Sequence, residues 1–295
     1  MSEIVSIASP SLSADISTLG AELQALRDEA GRDLLWDGDP AWWTGRAPIL
    51  FPVVGVVAGD EIRVGGMVYP LQKHGFARKS EWQLVETTAT AATFRLEDDD
   101  ATRASYPFAF RLDLRFSIEG ATLAMVAVLT NSGTTELPAS FGFHPALRWP
   151  LPYGAAKEDH RLTFAAPEPA PIRRIDGAGL MRPAPEPTPV VGDTLTPDAS
   201  LFEDDAIIFD RLASRSLRFG APGGRGLDIA FPDMPELGIW QKPGAPYLCV
   251  EPWAGFADPQ GYAGELRDKP GILRLPAGSS HHFTMRITLE PDALS

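Results

Sequence analysis

The sequence predicts an all-β fold, a sandwich built as one domain over residues 1–295, and three observations predict it. Twenty-eight prolines and 27 glycines are spread along the 295 residues, so apolar runs are broken before they reach the length of an ordinary helix. The runs that survive alternate in polarity or are rich in β-branched residues, which is the period of a strand. They also recur in pairs separated by turn residues, the cadence of a sandwich or barrel rather than of strand–helix–strand units.

Along the chain, residues 40–44 (PAWWT) and 200–204 are predicted as single helical turns, and neither carries the architecture. Residues 82–86 followed by 92–97 form a strand pair, and 110–118 (FRLDLRFSI) followed by 123–129 (LAMVAVL) form another. Residues 165–197 are rich in Pro, Gly and Ala with little apolar periodicity, so a long loop containing an irregular hairpin is expected there. Residues 283–289 (FTMRITL) close the chain as a strand.

Charge and cysteine content narrow the function classes. Asp and Glu number 39 against 26 Lys and Arg, a formal net charge of −13. That balance opposes long contacts with phosphate backbones or anionic lipid, so neither nucleic acid nor a membrane is expected as a partner. Cys249 is the sole cysteine, which excludes an intramolecular disulfide and a clustered thiolate site. The first residues lack the basic start and apolar stretch of a leader, and a cytoplasmic protein, monomer or homodimer, is expected.

Three segments carry candidate chemistry. In residues 139–145 (ASFGFHP), strand alternation places Ser140, Gly142 and His144 on one face and Phe141 and Phe143 on the other, the pattern of a core strand whose second side lines a polar cavity. In residues 72–78 (QKHGFAR), Gly75 allows His74 to be presented by a bend, with Arg78 beside it. In residues 247–253 (YLCVEPW), Tyr247, Cys249 and Glu251 share a face. Burial of Glu251 at the end of an apolar run would raise its pKa toward that of a useful base, and Trp253 offers an aromatic surface for a sugar. Arg46 either binds vicinal hydroxyls or caps a neighbouring carbonyl, and Trp240 and Gln241 offer a ring and an amide. Lesser readings are a glycoside hydrolase with paired carboxylates, a carbohydrate-binding protein without turnover, and a metal held by His74, His144 and Glu251.

Six stretches in order, RAPILFPVVG, KHGFAR, FGFHPAL, DDAIIF, GIWQKP and CVEPWAGFAD, resemble the aldose 1-epimerase (galactose mutarotase-like) family, in its shorter LacX-like bacterial branch. The resemblance implies a single-domain β-supersandwich and a mutarotase that interconverts the α and β anomers of a hexose. It implies Glu251 as general base and His144 as general acid, flanking one pyranose from opposite sides. It further implies that His74, Arg46 and Asp205, with Asp204 as the rival of the last, bind the sugar alongside Trp253 and Gln241, with no metal and no cofactor. Longer galactose-type members carry an Asn where this chain has Lys73, which leaves the sugar open, a hexose 6-phosphate included.

Overall fold

The computed structural model describes residues 2–292. Two antiparallel sheets carry the architecture. The larger runs across its width as Thr194–Leu195, Arg161–Phe164, Ser216–Gly220, Leu227–Ala230, Ser280–Leu289, Thr122–Asn131, Phe110–Glu119, Ala91–Glu97 and Gln83–Thr87. The predicted strand pairs fall within it, and the alternation has its expected meaning. Leu112, Leu114 and Phe116 are buried on one side, opposite Leu129, Ala127 and Met125 of the neighbouring strand, while the residues between them face outward.

The second sheet runs Ile207–Phe209, Glu236–Trp240, Tyr247–Ala254, Phe141–Phe143 and Ile49–Leu50, and Ala146–Arg148 also pairs with Tyr247–Ala254. One face of it packs on the larger sheet: Phe141, Phe143, Leu237, Ile239, Leu248 and Val250 all join the main core. Phe141 stacks on Phe283 of the larger sheet at 4.6 Å between ring centroids, and Phe164 meets Phe209 at 5.5 Å. Each such side chain contributes about 1.5–3 kcal/mol on burial. A third sheet, Ile4–Ala8, Leu12–Ser17 and Leu23–Asp28, adds Ile7, Ala14, Ile16 and Leu26 to the same continuous cluster. The chain is therefore all-β in its architecture, as the sequence predicts, and Asp100–Arg103 is the one α-helix among the described residues.

Both predicted single turns are present. At residues 40–44 the turn is not extended into a helix: the N–H groups of Trp42 and Trp43 both reach the Asp39 carbonyl at 3.0 Å, and the Asp39 carboxylate takes the Ala41 N–H at 2.9 Å. The other becomes a 3₁₀ turn at Ala199–Phe202, where Asp198 accepts the Ser200 N–H. Within residues 165–197 the bridges Ile172 to Glu186 and Ile175 to Met181 make the irregular hairpin. No helix among the described residues is long and apolar enough to cross a membrane.

Candidate active site

Strand register assembles the site. Gly142 pairs with Trp253 and Ala146 with Cys249, and the Val250 N–H bonds to the Pro145 carbonyl between them at 3.2 Å. This register sets His144 directly opposite Glu251, although 107 positions separate them in the chain. Residues opposite each other in an antiparallel pair share a face. That face, turned away from the main core, also carries Ile208 and Gly238, which pair with each other, and Trp240, which pairs with Cys249.

His144 Nε2 lies 3.2 Å from Glu251 Oε2, with the two residues 8% and 2% exposed. The two groups thus stand side by side on one wall, which corrects the expectation that they flank a pyranose from opposite sides: adjacent strands at matched register leave no room for a ring between them. The other polar atom of each group, His144 Nδ1 and Glu251 Oε1, is buried without a hydrogen-bond partner. Burial pushes His144 down to about 3 and Glu251 well above the ordinary carboxylate range, with Lys73 drawing Glu251 back and Asp205 adding to the rise. Desolvation penalises the charged form of each group. Burial therefore favours the neutral form of each group.

His74 is fixed differently. Both His74 and Gly75 have left-handed backbone, φ 65° and 66°, so the bend read from the sequence is real and costs strain at a non-glycine residue. A side chain at Gly75 would come 2.2 Å from the Phe51 carbonyl oxygen, which explains the glycine. The Gly55 N–H donates to His74 Nδ1 at 3.0 Å, while the His74 N–H donates to the Gly55 carbonyl at 2.9 Å. An accepting Nδ1 places the ring proton on Nε2, and burial, the leading cause, holds the imidazole well below its usual pKa. His74 is a neutral hydrogen-bond donor.

His74, His144, Glu251, Asp205 and Trp253 converge on one cavity of about 210 Å³. Trp253 lies over two glycines of the flanking strands: a Cβ at Gly142 or Gly238 would come 2.6 Å or 2.4 Å from its ring. The open space predicted beside Gly142 is thus filled by Trp253. Ser140, expected on the polar wall, is buried beneath Gly255. Asp205, at φ 65°, takes the Ala206 N–H on its carboxylate at 2.7 Å and lines the cavity. Asp204 lines only the outer recess and lies 3.4 Å from Arg182.

Two expected contacts lie elsewhere. Arg46 is absent from the lining; its guanidinium donates to the Gln24 carbonyl at 2.7 Å, the capping alternative, because the chain ahead of Ile49–Leu50 turns toward the N-terminal sheet. Gln241 is fully buried and donates to the Ala245 carbonyl at 2.6 Å, closing its own turn. In their place stand Lys73, Arg78, Trp43 and Trp240. Arg78 Nε is buried without a partner. Trp43 lies 5.1 Å from the His144 ring and meets Trp240 edge-on at 5.6 Å. The tryptophan pair in PAWWT was the available signal, but strand and helix periodicity assign it to neither. Tryptophan rings on one side and cations, imidazoles and carboxylates on the other suit a ligand with an apolar face and a hydroxylated rim.

On the neighbouring strand Glu236 pairs with Trp253 and accepts the Gly255 N–H at 2.9 Å, tying down the backbone that follows the Glu251 strand. Burial raises its pKa to about 7. The folded value exceeds the unfolded one, so stability is fully present below pH 4.5 and falls as pH rises through 7. Glu236→Gln keeps an oxygen for Gly255 and is expected to stabilise the protein at pH 8 by on the order of 2–3 kcal/mol. Thermal unfolding should show a raised Tm for the variant at pH 8 and none at pH 4.5; equal shifts at both would contradict this.

Comparison with known proteins gives the family. The family model described as aldose 1-epimerase matches residues 3–262. The LacX proteins of Lactococcus lactis subsp. lactis, plasmid and chromosomal, are each 32% identical over 281 residues, covering 91% of this chain and 94% of theirs. Among solved structures, a galactose mutarotase related enzyme from Lactobacillus acidophilus superposes with a TM-score of 0.89 at 26% identity, over 98% of both chains. A galactose mutarotase-like protein from Lactobacillus casei gives 0.90 at 27%, over 98% of this chain and 100% of that one. With the family model spanning most of its length and its strands reproducing the galactose mutarotase-like fold, this chain belongs to the aldose 1-epimerase family of sugar isomerases.

Proposed function

We propose that the protein is a cofactor-independent mutarotase that interconverts the α and β anomers of a hexose through the His144–Glu251 pair. The observation that carries this reading is the 3.2 Å contact between an imidazole and a carboxyl group in the wall of a tryptophan-lined cavity. Anomer exchange needs one proton removed from the anomeric hydroxyl and one delivered to the ring oxygen. Both oxygens are bonded to the same carbon, so neighbouring groups on one wall can reach them together.

Glu251 takes the hydroxyl proton, the bond from the anomeric carbon to the ring oxygen breaks, and His144 protonates that oxygen. The open aldehyde then rotates and closes on its other face by the reverse transfers. His74, as a fixed Nε2–H donor, and Asp205, as an acceptor, hold hydroxyls, while Trp253 carries the apolar face of the ring. The catalytic ion pair and the neutral pair hold the same number of protons and differ only by a proton transfer across the 3.2 Å contact.

That equality sets the pH dependence. A free imidazolium acid with its ordinary pKa near 6.5 would be about 90% deprotonated by pH 7.5. Here the alkaline limb belongs to the pair as a unit losing its shared proton, and the raised pKa of Glu251 moves that limb upward. The acid limb falls near the His144 value of about 3. kcat/KM is expected to show no fall centred near pH 6.5, the ordinary imidazole value; such a fall would contradict the coupled pair.

A second reading, a phosphorylated hexose, is favoured by Lys73 and Arg78, two cations on the same cavity, with Arg78 Nε unpartnered. Arg46 is turned away from the cavity. Exchange spectroscopy by NMR across free aldoses and their 6-phosphates tests both readings. Faster exchange of 6-phosphates alone selects the second, of free hexoses the first, and no acceleration of any sugar rejects both.

A further inference from the structure

We propose that His144, Cys249 and Glu251 form a buried site for a thiophilic divalent cation such as zinc, and that its occupancy silences the acid/base pair. Cys249 and Glu251 alternate on one strand and share its cavity-side face, and His144 stands across from Glu251 and diagonal to Cys249. One ligand atom from each of the three lies within 4.8 Å of the other two. In tetrahedral zinc sites, bonds of about 2.0–2.3 Å hold ligand atoms roughly 3.3–3.8 Å apart, so side-chain adjustments well under a strand spacing suffice.

Three further features point the same way. Glu251 Oε1 is buried and unpartnered, so coordination by that oxygen displaces no protein hydrogen bond. Cys249 is free and fully buried, and its soft sulfur with an imidazole selects zinc or cadmium over magnesium or calcium. His144 and Glu251 face the cavity, which gives the ion a way in and leaves a coordination position for water. The set differs from the His74, His144 and Glu251 set considered from sequence, because His74 Nδ1 is already taken by Gly55. On binding, the thiol proton passes to solvent and sulfur coordinates as thiolate.

Binding follows from the three ligands alone; its inhibitory effect rests on the proposed role of His144 and Glu251. Cobalt(II) replaces zinc as an optical probe, since thiolate coordination gives a charge-transfer absorption. The wild-type protein is expected to show that band and Cys249→Ala to lack it. Calorimetry with zinc alone should show affinity reduced about tenfold or more in the variant. Without metal, Cys249→Ala should exchange anomers at the wild-type rate, with thermal unfolding confirming its fold, and its exchange should resist zinc that stops the wild type. Absence of the cobalt band in the wild type, or equal zinc affinity in both proteins, would overturn the site. A band without zinc inhibition in an active enzyme would overturn the silencing. If the wild type exchanges no sugar, the band and the calorimetry still decide the site.

Discussion

Glu251→Gln is expected to fold and to bind sugar as the wild type does while exchanging anomers about 10²- to 10⁴-fold more slowly, the loss typical of removing one positioned proton-transfer group. The fold should survive because, among the described residues, the Glu251 carboxyl comes within ion-pair distance of His144 alone, and the strand that holds it is set by backbone register. A glutamine has the same shape and retains a carbonyl oxygen. It also removes a carboxyl whose ionisation burial opposes, so no stability at neutral pH is lost with the charge. Sugar binding is measurable through the fluorescence of Trp43, Trp240 and Trp253, all on the cavity. Exchange at the wild-type rate in this variant would remove Glu251 from the chemistry.

His144→Gln is expected to lose about as much, 10²- to 10⁴-fold, and the double variant to lose little more than either single one. The reason is the shared proton. Once one member of the pair is absent, the other has no partner across the 3.2 Å contact and cannot reach the catalytic protonation state, so the second substitution removes a group already idle. Measured exchange rates for the two single variants and the double variant close this cycle. A double variant whose loss equals the product of the two single losses would show that the groups act independently.

Much of the fold is legible in the sequence because alternation records burial directly. Phe141 and Phe143 against His144 read correctly as core and cavity faces, and Leu248 and Val250 separate from Glu251 as the alternation requires. Which strands lie side by side is not written in any one segment. The meeting of His144 with Glu251 depends on the pairings Gly142 with Trp253 and Ala146 with Cys249, and those depend on the whole sheet. Resemblance to a family supplied the roles; strand pattern alone offered three separate polar faces.

The misplaced residues have a common physical origin. Arg46 and Gln241 are long polar side chains next to turns, where the nearest unsatisfied carbonyl, of Gln24 or Ala245, competes with any ligand. Periodicity says nothing about such local satisfaction. His74 shows the converse: KHGF marks a bend, but only the φ of 65° and the Gly55 contact reveal a neutral donor rather than an acid. Likewise Gly142 reads as space for a ligand, whereas it and Gly238 make space for Trp253.

The most direct test of the central claim is polarimetry on freshly dissolved α-anomers of free hexoses and hexose 6-phosphates with the wild-type protein. At least one sugar should relax to its ordinary equilibrium rotation far faster with protein than without, and the end value should be unchanged. Relaxation of every sugar at its spontaneous rate, under conditions where calorimetry shows the sugar bound, would mean that the cavity holds a sugar without converting it.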